Sequence, residues 1–250
     1  MRFFEFLART GREARYPTVP AAPEPISPDP MRTPRPAPLG VAFTDVCFLH
    51  WPVEPALVGP HLPAGTRPDT FDGRTYVGLV AFRMRSFGEF LETNVRVYSV
   101  DDAGRRGTVF LTMEANRLPW VLAARAAAMP YTWARMGLTR DVHVLTYDTV
   151  RNRPRPRGVR SRIRIRVGAP TEPTALEHFL TARWRLHLNS YGRTIGIPLT
   201  HDRWPLHTAE LLDLDDELIA DTGLPSPSDE PASALYSPAV HGRFGLPQSI

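Results

Sequence analysis

From about Leu39 onward, apolar and polar residues alternate in short runs broken by Gly, Pro and Asp. A period of two marks half-buried β-strands. VAFTDVCFLHW (41–51) reads as a strand, and VEPALVGPHLP (53–63) as one or two helical turns ended by Gly59 and Pro60. TFDGRTYVGLVAFRMR (70–85) carries an Asp72–Gly73 turn and then a strand. Residues 94–115 predict a hairpin. DVHVLTYDTV (141–150) and GVRSRIRIRV (158–167) predict a second, joined by RNRPRPR. Helical patterning occurs in LPWVLAARAAAM (118–129), Ala-rich and closed by Pro130. It returns in TEPTALEHFLTARW (171–184), with Thr171 as N-cap and Pro173 in the first turn. RLHLNSYG (185–192) and HTAELLDLDDEL (207–218) are strand or mixed segments, and no internal repeat is found. Together these elements predict an α+β fold built on antiparallel strands.

Before Leu39 the pattern fails. Nine prolines between Pro17 and Pro38 preclude regular helix or central strand. Residues 1–38 are therefore expected to form a proline-rich arm, either an extended linker or a segment draped over the surface, and residues 39–250 a single domain. Within the arm, residues 1–16 predict a short amphipathic helix with Phe3, Phe4 and Leu7 on one side, docking on its own domain or on a second copy. The start of the chain is too charged and too short of apolar run for a secretory signal. No stretch approaches the roughly 18 apolar residues of a membrane span.

Composition narrows the chemistry. The chain has 250 residues, 42% hydrophobic and 22% charged, enough for a sizeable core. All 30 basic side chains are arginine, and lysine is absent. Arginine does not lose its proton near neutrality, so no side chain here can act as an amine nucleophile. The single cysteine, Cys47, excludes an internal disulfide framework and fits a reducing cytoplasm. It lies in an apolar strand and reads as an inert buried thiol. The eight histidines form no compact metal motif, and phosphate-loop, dinucleotide and nucleophile-elbow motifs are missing. No metal or cofactor is expected. Eight arginines fall in residues 151–167, but Arg162, Arg164 and Arg166 alternate with Ile163, Ile165 and Val167. That is a strand with one buried and one solvated face. Without interleaved aromatics for base stacking, it argues against nucleic acid as a partner.

FLETNVRVYSV (90–100) carries the candidate chemistry. One face presents Glu92, Asn94, Arg96 and Tyr98, and the other Val95 and Val97 flanked by Thr93 and Ser99. The polar row is either wet or lines a chamber. The neighbouring strand adds Glu114, on the face of Thr112 and Phe110, and the strand before adds Tyr76, Val80 and Phe82. Apolar walls with a few convergent polar groups are typical of a ligand cavity. Periodicity alone leaves both readings open.

The segments CFLHWPVEPALVGPHLPAG, DTFDGRTYVGLVAFRMR, ETNVRVYSVDDAGRRGTVFLTMEA, AARAAAMPYTWARM, HDRWPLHTAELLDLDDELIADTGL and ALYSPAVHGRFGLP occur in one order across residues 40–247. Together they resemble the YqjF-like family of bacterial proteins, itself similar to the acetoacetate decarboxylase superfamily. The resemblance implies a curved antiparallel sheet, or cone-like barrel, enclosing a cavity with a few helices outside. It favours the chamber, and it implies a homo-oligomer. In that superfamily a lysine pair following a proline forms a Schiff base with a β-keto acid. The matching stretch here is AMPYTWARM, where Tyr131 and Thr132 stand in place of the pair. Neither forms an imine, which speaks against Schiff-base chemistry. The superfamily's catalytic glutamate resembles Glu92.

On the strength of this resemblance, Glu92 is expected to act as proton acceptor and Tyr131 as donor to a developing oxyanion. Arg96 becomes the clamp on an anionic group, with Tyr98, Asn94, Glu114, His50 and Thr132 as further binding residues. Two functions fit a small carbonyl- or carboxylate-containing partner. One is lysine-independent acid–base catalysis such as enolisation, dehydration or cyclisation. The other is ligand binding without turnover.

Overall fold

Strand structure begins where the prolines end. The computed structural model of the protein describes residues 20–250, and the predicted helix over residues 1–16 lies outside them. From Pro20 the described chain runs without helix or strand to Pro38, then forms β1 (Leu39–Val53), α1 (Pro55–Val58), a 3-10 turn (Gly59–His61), β2 (Thr66–Pro68) and β3 (Thr75–Ser86). Next come β4 (Gly88–Asp101), β5 (Arg106–Ala115), α2 (Leu118–Ala126), β6 (Tyr131–Asp141), β7 (Val144–Arg153) and β8 (Arg160–Pro170). They are followed by α3 (Ala175–Thr181), β9 (Arg185–Ser190), β10 (Arg193–His201) and β11 (His207–Asp216). The chain ends with α4 (Leu218–Asp221), β12 (Ser233–Phe244) and β13 (Gln248–Ser249). No described helix is long and apolar enough to cross a membrane.

Two strands fork. A central layer runs β12-β1-β3-β4-β5. Along the free edge of β5, Thr108 pairs with Leu186 of β9, whereas Met113, Glu114 and Ala115 pair with Tyr131, Thr132 and Trp133 of β6. The free edge of β12 divides likewise, Tyr236 pairing with His207 of β11 and Leu199–His201 of β10 with Gly242–Phe244. One ring therefore closes through β6-β7-β8-β11 and a second through β9-β10, and both share the central layer.

The two faces of the shared layer have different fates. Cys47, Leu49, Leu79, Val95 and Val97 point into the first ring and meet Leu145, Ile163 and Ile165, which fill it with apolar side chains. Phe48, Val80, Phe82 and Met113 point into the second ring. That ring is not filled, and there the site lies.

Several expected elements shift. The α2 helix stops at Ala126, and Ala128 adopts a positive φ of 62° before the chain turns through Pro130 into β6. The stretch after Pro130, which the residue pattern leaves unassigned, is a strand. The α3 helix starts later than expected. Thr174, not Thr171, caps it, accepting from the Glu177 amide while Glu177 accepts from the Thr174 amide. Pro173 therefore precedes the cap. The Asp72–Gly73 turn forms, with positive φ at both residues (49° and 78°), as a tight hairpin requires. The alternating arginines of β8 are solvent-facing as predicted, and Arg166 pairs with Glu210 across to β11. Cys47 is fully buried, and burial pushes its thiol pKa far up.

Candidate functional site

The polar row of β4 points inward. Side by side across the sheet, His50, Gly78, Arg96 and Phe110 occupy matching positions on β1, β3, β4 and β5. Gly78 makes room in that row, because a Cβ there would sit 2.9 Å from the His50 ring and 3.2 Å from Arg96 Cγ. One row along, Phe48, Val80, Asn94 and Met113 line up. Glu92 follows, opposite Phe82 and Ala115.

These rows wall a cavity of about 460 Å³. Its lining is predominantly aromatic and aliphatic, from Phe43, Phe48, Phe82, Phe110, Trp120 and Trp204 among others. The polar groups among them are few. Glu92 is 2% exposed. Its Oε2 accepts from the Tyr131 hydroxyl at 2.6 Å, and its Oε1 accepts from Asn94 Nδ2 at 3.0 Å. Burial pushes its pKa up to about 7, against the pull of those two hydrogen bonds. Near neutral pH it therefore exists in both protonation states. Burial beside Glu92 also raises the Tyr131 pKa well above the ordinary phenol value, so the phenol stays protonated.

Arg96 faces the same hollow without a carboxylate. It forms no ion pair among the described residues. Nε instead donates to the Tyr98 oxygen at 3.2 Å and Nη2 to the Leu180 carbonyl at 3.3 Å, while the guanidinium lies 5.4 Å from the Phe48 ring centroid. Glu92 and Arg96, although on one strand face, do not pair, since Asn94 and Tyr131 occupy the carboxyl oxygens. Tyr98 and His50 sit beneath Arg96, fully buried, and neither lines the cavity. The Tyr98 hydroxyl donates to the Leu180 carbonyl at 3.0 Å, and His50 Nε2 lies 2.7 Å from the Tyr98 hydroxyl oxygen. With the phenol proton on Leu180, His50 carries its proton on Nε2. Burial, together with Arg96 and Arg183, keeps the imidazole well below its usual pKa and hence neutral. His50 is thus a buried support within β1 and not, as expected, a residue that lines the cavity.

Two predicted residues lie elsewhere. A bulge skips Leu111, so that Val95 pairs with Thr112 but Arg96 with Phe110. Beyond the bulge the faces of β5 exchange, leaving Met113 toward the cavity and turning Thr112 and Glu114 toward the filled ring. There Glu114 is held by Arg151, with Nη2 at 2.5 Å and Nε at 2.9 Å, and by the Thr112 hydroxyl at 2.9 Å. Thr132 lies opposite Glu114 in the β5–β6 pairing and is turned away from the hollow for the same reason that Tyr131 faces it.

The structure adds cavity residues from distant segments. Arg183 sits buried against both the Tyr98 and Phe179 rings, 4.4 and 4.2 Å from their centroids, and bonds Asp69 Oδ2 at 2.6 Å. His201 is stacked on Trp184 at 4.3 Å and near Trp204 at 4.9 Å, and burial lowers its pKa to about 4. Nothing in their local sequence marks these residues. Arg183 follows a helix, and His201 ends a strand whose pairing with β12 is separated from it by some forty residues. Among the described residues no group of three or more His, Cys, Asp or Glu is placed to hold a metal ion.

Comparison with known proteins places this geometry in context. A family model described as an uncharacterized conserved protein, DUF2071, matches residues 41–241. The uncharacterized protein YqjF of Bacillus subtilis (strain 168) is 26% identical over 182 residues, covering 67% of this chain and 74% of its own. Among solved structures, the enduracididine biosynthesis enzyme MppR in complex with pyruvate superposes with a TM-score of 0.63 at 14% identity, over 88% of this chain and 91% of its own. An acetoacetate decarboxylase-like enzyme from Sphingomonas wittichii RW1 gives 0.60 at 13% identity, over 86% and 93%. At these identities the structural likeness shows the fold: an acetoacetate decarboxylase-like sheet with few helices.

Proposed function

The chain belongs to the DUF2071 family, and from that premise we propose that its cavity binds a small organic molecule carrying a carbonyl and a carboxylate, on which Glu92 moves a proton. The observation that carries this reading is a buried carboxyl, Glu92, hydrogen-bonded to Tyr131 and lining the same apolar hollow as Arg96. Arg96 clamps the ligand carboxylate, a contact strengthened by the low-dielectric walls. Ionised Glu92 takes a proton from the carbon next to the carbonyl, and the electron pair moves onto the carbonyl oxygen as an enolate. While Glu92 is ionised, the Tyr131 proton points at it. Once Glu92 is protonated it donates to the Tyr131 oxygen, and the phenol proton turns to the enolate. No imine is required, which accords with a chain that has no lysine. That MppR has been solved with pyruvate on the same fold supports this ligand class.

The second reading is a binding protein without turnover. It is favoured by Tyr131 and Thr132 standing where the resemblance puts a lysine pair. One experiment separates the two. Pyruvate and a panel of 2- and 3-oxo acids are incubated with the protein in D2O, with loss of α-protons followed by NMR and binding by calorimetry. Catalysis gives exchange above the buffer rate, lost about 100-fold or more in Glu92→Gln with binding retained. Binding alone gives affinity without exchange. Both readings fail if no oxo acid binds at millimolar concentration, or if Arg96→Gln binds as well as the parent.

A further inference from the structure

On the outer side of the β9–β10 wall lies a second hollow of about 500 Å³ whose lining is unlike the first. Five arginines converge there: Arg32 and Arg35 from the proline-rich segment, Arg105 and Arg106 from the start of β5, and Arg185 from β9. Glu24 is the one carboxylate in the lining. We infer that this hollow is a binding site for a phosphoryl-bearing anion, held by the guanidinium groups of Arg32, Arg35, Arg105 and Arg185.

Two of the five are already anchored. Arg105 Nε bonds Asp101 Oδ2 at 2.6 Å, and Arg106 pairs with Asp69 while its Nε donates to the Glu24 carbonyl at 2.6 Å. Arg32, Arg35 and Arg185 form no ion pair among the described residues. Arg185 Nη1 is buried with no hydrogen-bond partner among them, and its stem runs over Gly196, where a Cβ would stand 3.1 Å from Nη1. The glycine thus leaves room for the guanidinium beside the hollow. Burial, then Arg105 and Arg32, disfavour the charge on Arg185, and the carboxylates of Glu24 and Asp101 offset this only in part. Arginine does not escape such repulsion by losing its proton. A concave cluster of one sign focuses its field on an incoming counter-ion. Guanidinium forks match the oxygens of a phosphoryl group two at a time, and a multiply charged anion relieves several repulsions at once. The volume exceeds what one phosphate fills and falls in the range of sites for small organic ligands.

The segment that brings Arg32 and Arg35 is tied to the body by polar contacts. Trp184 Nε1 donates to the Ser27 carbonyl at 3.1 Å, Arg203 pairs with Asp29, and the Ala21 amide donates to the Asp102 carbonyl at 2.9 Å. The arginines come from three separate regions of the chain, so no run of basic residues announces the site. It shares no named ligand contact with Glu92 or Arg96, and its test stands or falls apart from theirs.

Calorimetric titration of the full chain with inorganic phosphate, pyrophosphate and ADP at constant ionic strength tests the assignment. Pyrophosphate is expected to saturate one site and to weaken at least tenfold in both Arg185→Gln and Arg32→Gln. Arg32 is exposed, and its variant keeps the test valid should Arg185→Gln fold poorly. Tighter binding of ADP than of pyrophosphate assigns a phosphorylated organic ligand, and equal binding assigns the phosphate groups alone. The assignment is overturned if none of the three saturates at millimolar concentration, or if binding survives the Arg32→Gln substitution unchanged.

Discussion

The Tyr131 hydroxyl donates to Glu92 Oε2 at 2.6 Å, linking the first residue of β6 to the polar row of β4 inside an apolar hollow. This bond favours the ionised carboxyl and opposes the effect of burial. A hydrogen bond to a charged acceptor contributes about 1.5–3 kcal/mol. Tyr131→Phe is therefore expected to move the Glu92 midpoint upward from about 7, by about one to two pH units. Carbon-13 NMR of glutamate carboxyls across a pH titration reads this directly. A midpoint that stays put or falls would show that the phenol does not stabilise the carboxylate.

Glu92 also couples stability to pH. Its folded-state pKa, about 7, is raised above the ordinary 4.5. Between those values the folded chain binds more protons than the unfolded one. The contribution from neutral Glu92 is full below about pH 4.5 and is lost as pH rises through about 7. The loss amounts to roughly 3 kcal/mol at most. Glu92→Gln removes the ionisation. It should melt at a higher temperature than the parent at pH 8, with the gain vanishing by pH 4.5. A gain of equal size at both pH values would refute the linkage.

How much of this was legible in the sequence depended on local regularity. The period of two in FLETNVRVYSV placed Glu92, Asn94 and Arg96 on one face, and the structure turns that face inward because β4 is an unbroken strand in a shared layer. The same rule misplaced Glu114, since one bulged residue at Leu111 exchanges the faces of β5 and leaves no mark in the residue pattern. Thr132 was placed in the site by the resemblance, which set it with Tyr131 in place of the lysine pair, whereas successive residues of β6 face opposite sides of the sheet and only Tyr131 turns to the hollow. Arg183, His201 and the arginine-lined hollow depend on segments that meet only when both rings close, which no local window reports.

Gly78 supplies a steric test of the row that holds Arg96. Alanine there would place a methyl 2.9 Å from the His50 ring and 3.2 Å from Arg96 Cγ. His50 is fully buried and tied to Tyr98 at 2.7 Å, so it cannot retreat without breaking that bond. Overpacking of this kind costs about 1–3 kcal/mol. Gly78→Ala should lower the midpoint of urea unfolding by that amount and weaken oxo-acid binding through displacement of Arg96. Unchanged stability would mean that the row has slack the geometry does not suggest.

The last test concerns Glu114, which the structure moves from the cavity to the filled ring. Arg151 grips it there and reaches Asp221 Oδ2 at 2.5 Å with Nη1. Burial disfavours the Arg151 charge, but Glu114 and Asp221 outweigh it and hold the guanidinium above its ordinary pKa. Removing one member of such a pair strands a charge in apolar surroundings and costs about 3–5 kcal/mol. Removing both avoids that penalty. Arg151→Met alone should therefore destabilise by about 3–5 kcal/mol, and Glu114→Gln combined with Arg151→Met should destabilise by less than the sum of the two single changes. Denaturant unfolding of the four chains gives the coupling directly. Glu114→Gln should leave oxo-acid affinity within about twofold, because its carboxyl faces away from the ligand, a change worth under about 0.5 kcal/mol. A large loss of affinity in that single variant, with stability little affected, would return Glu114 to the cavity.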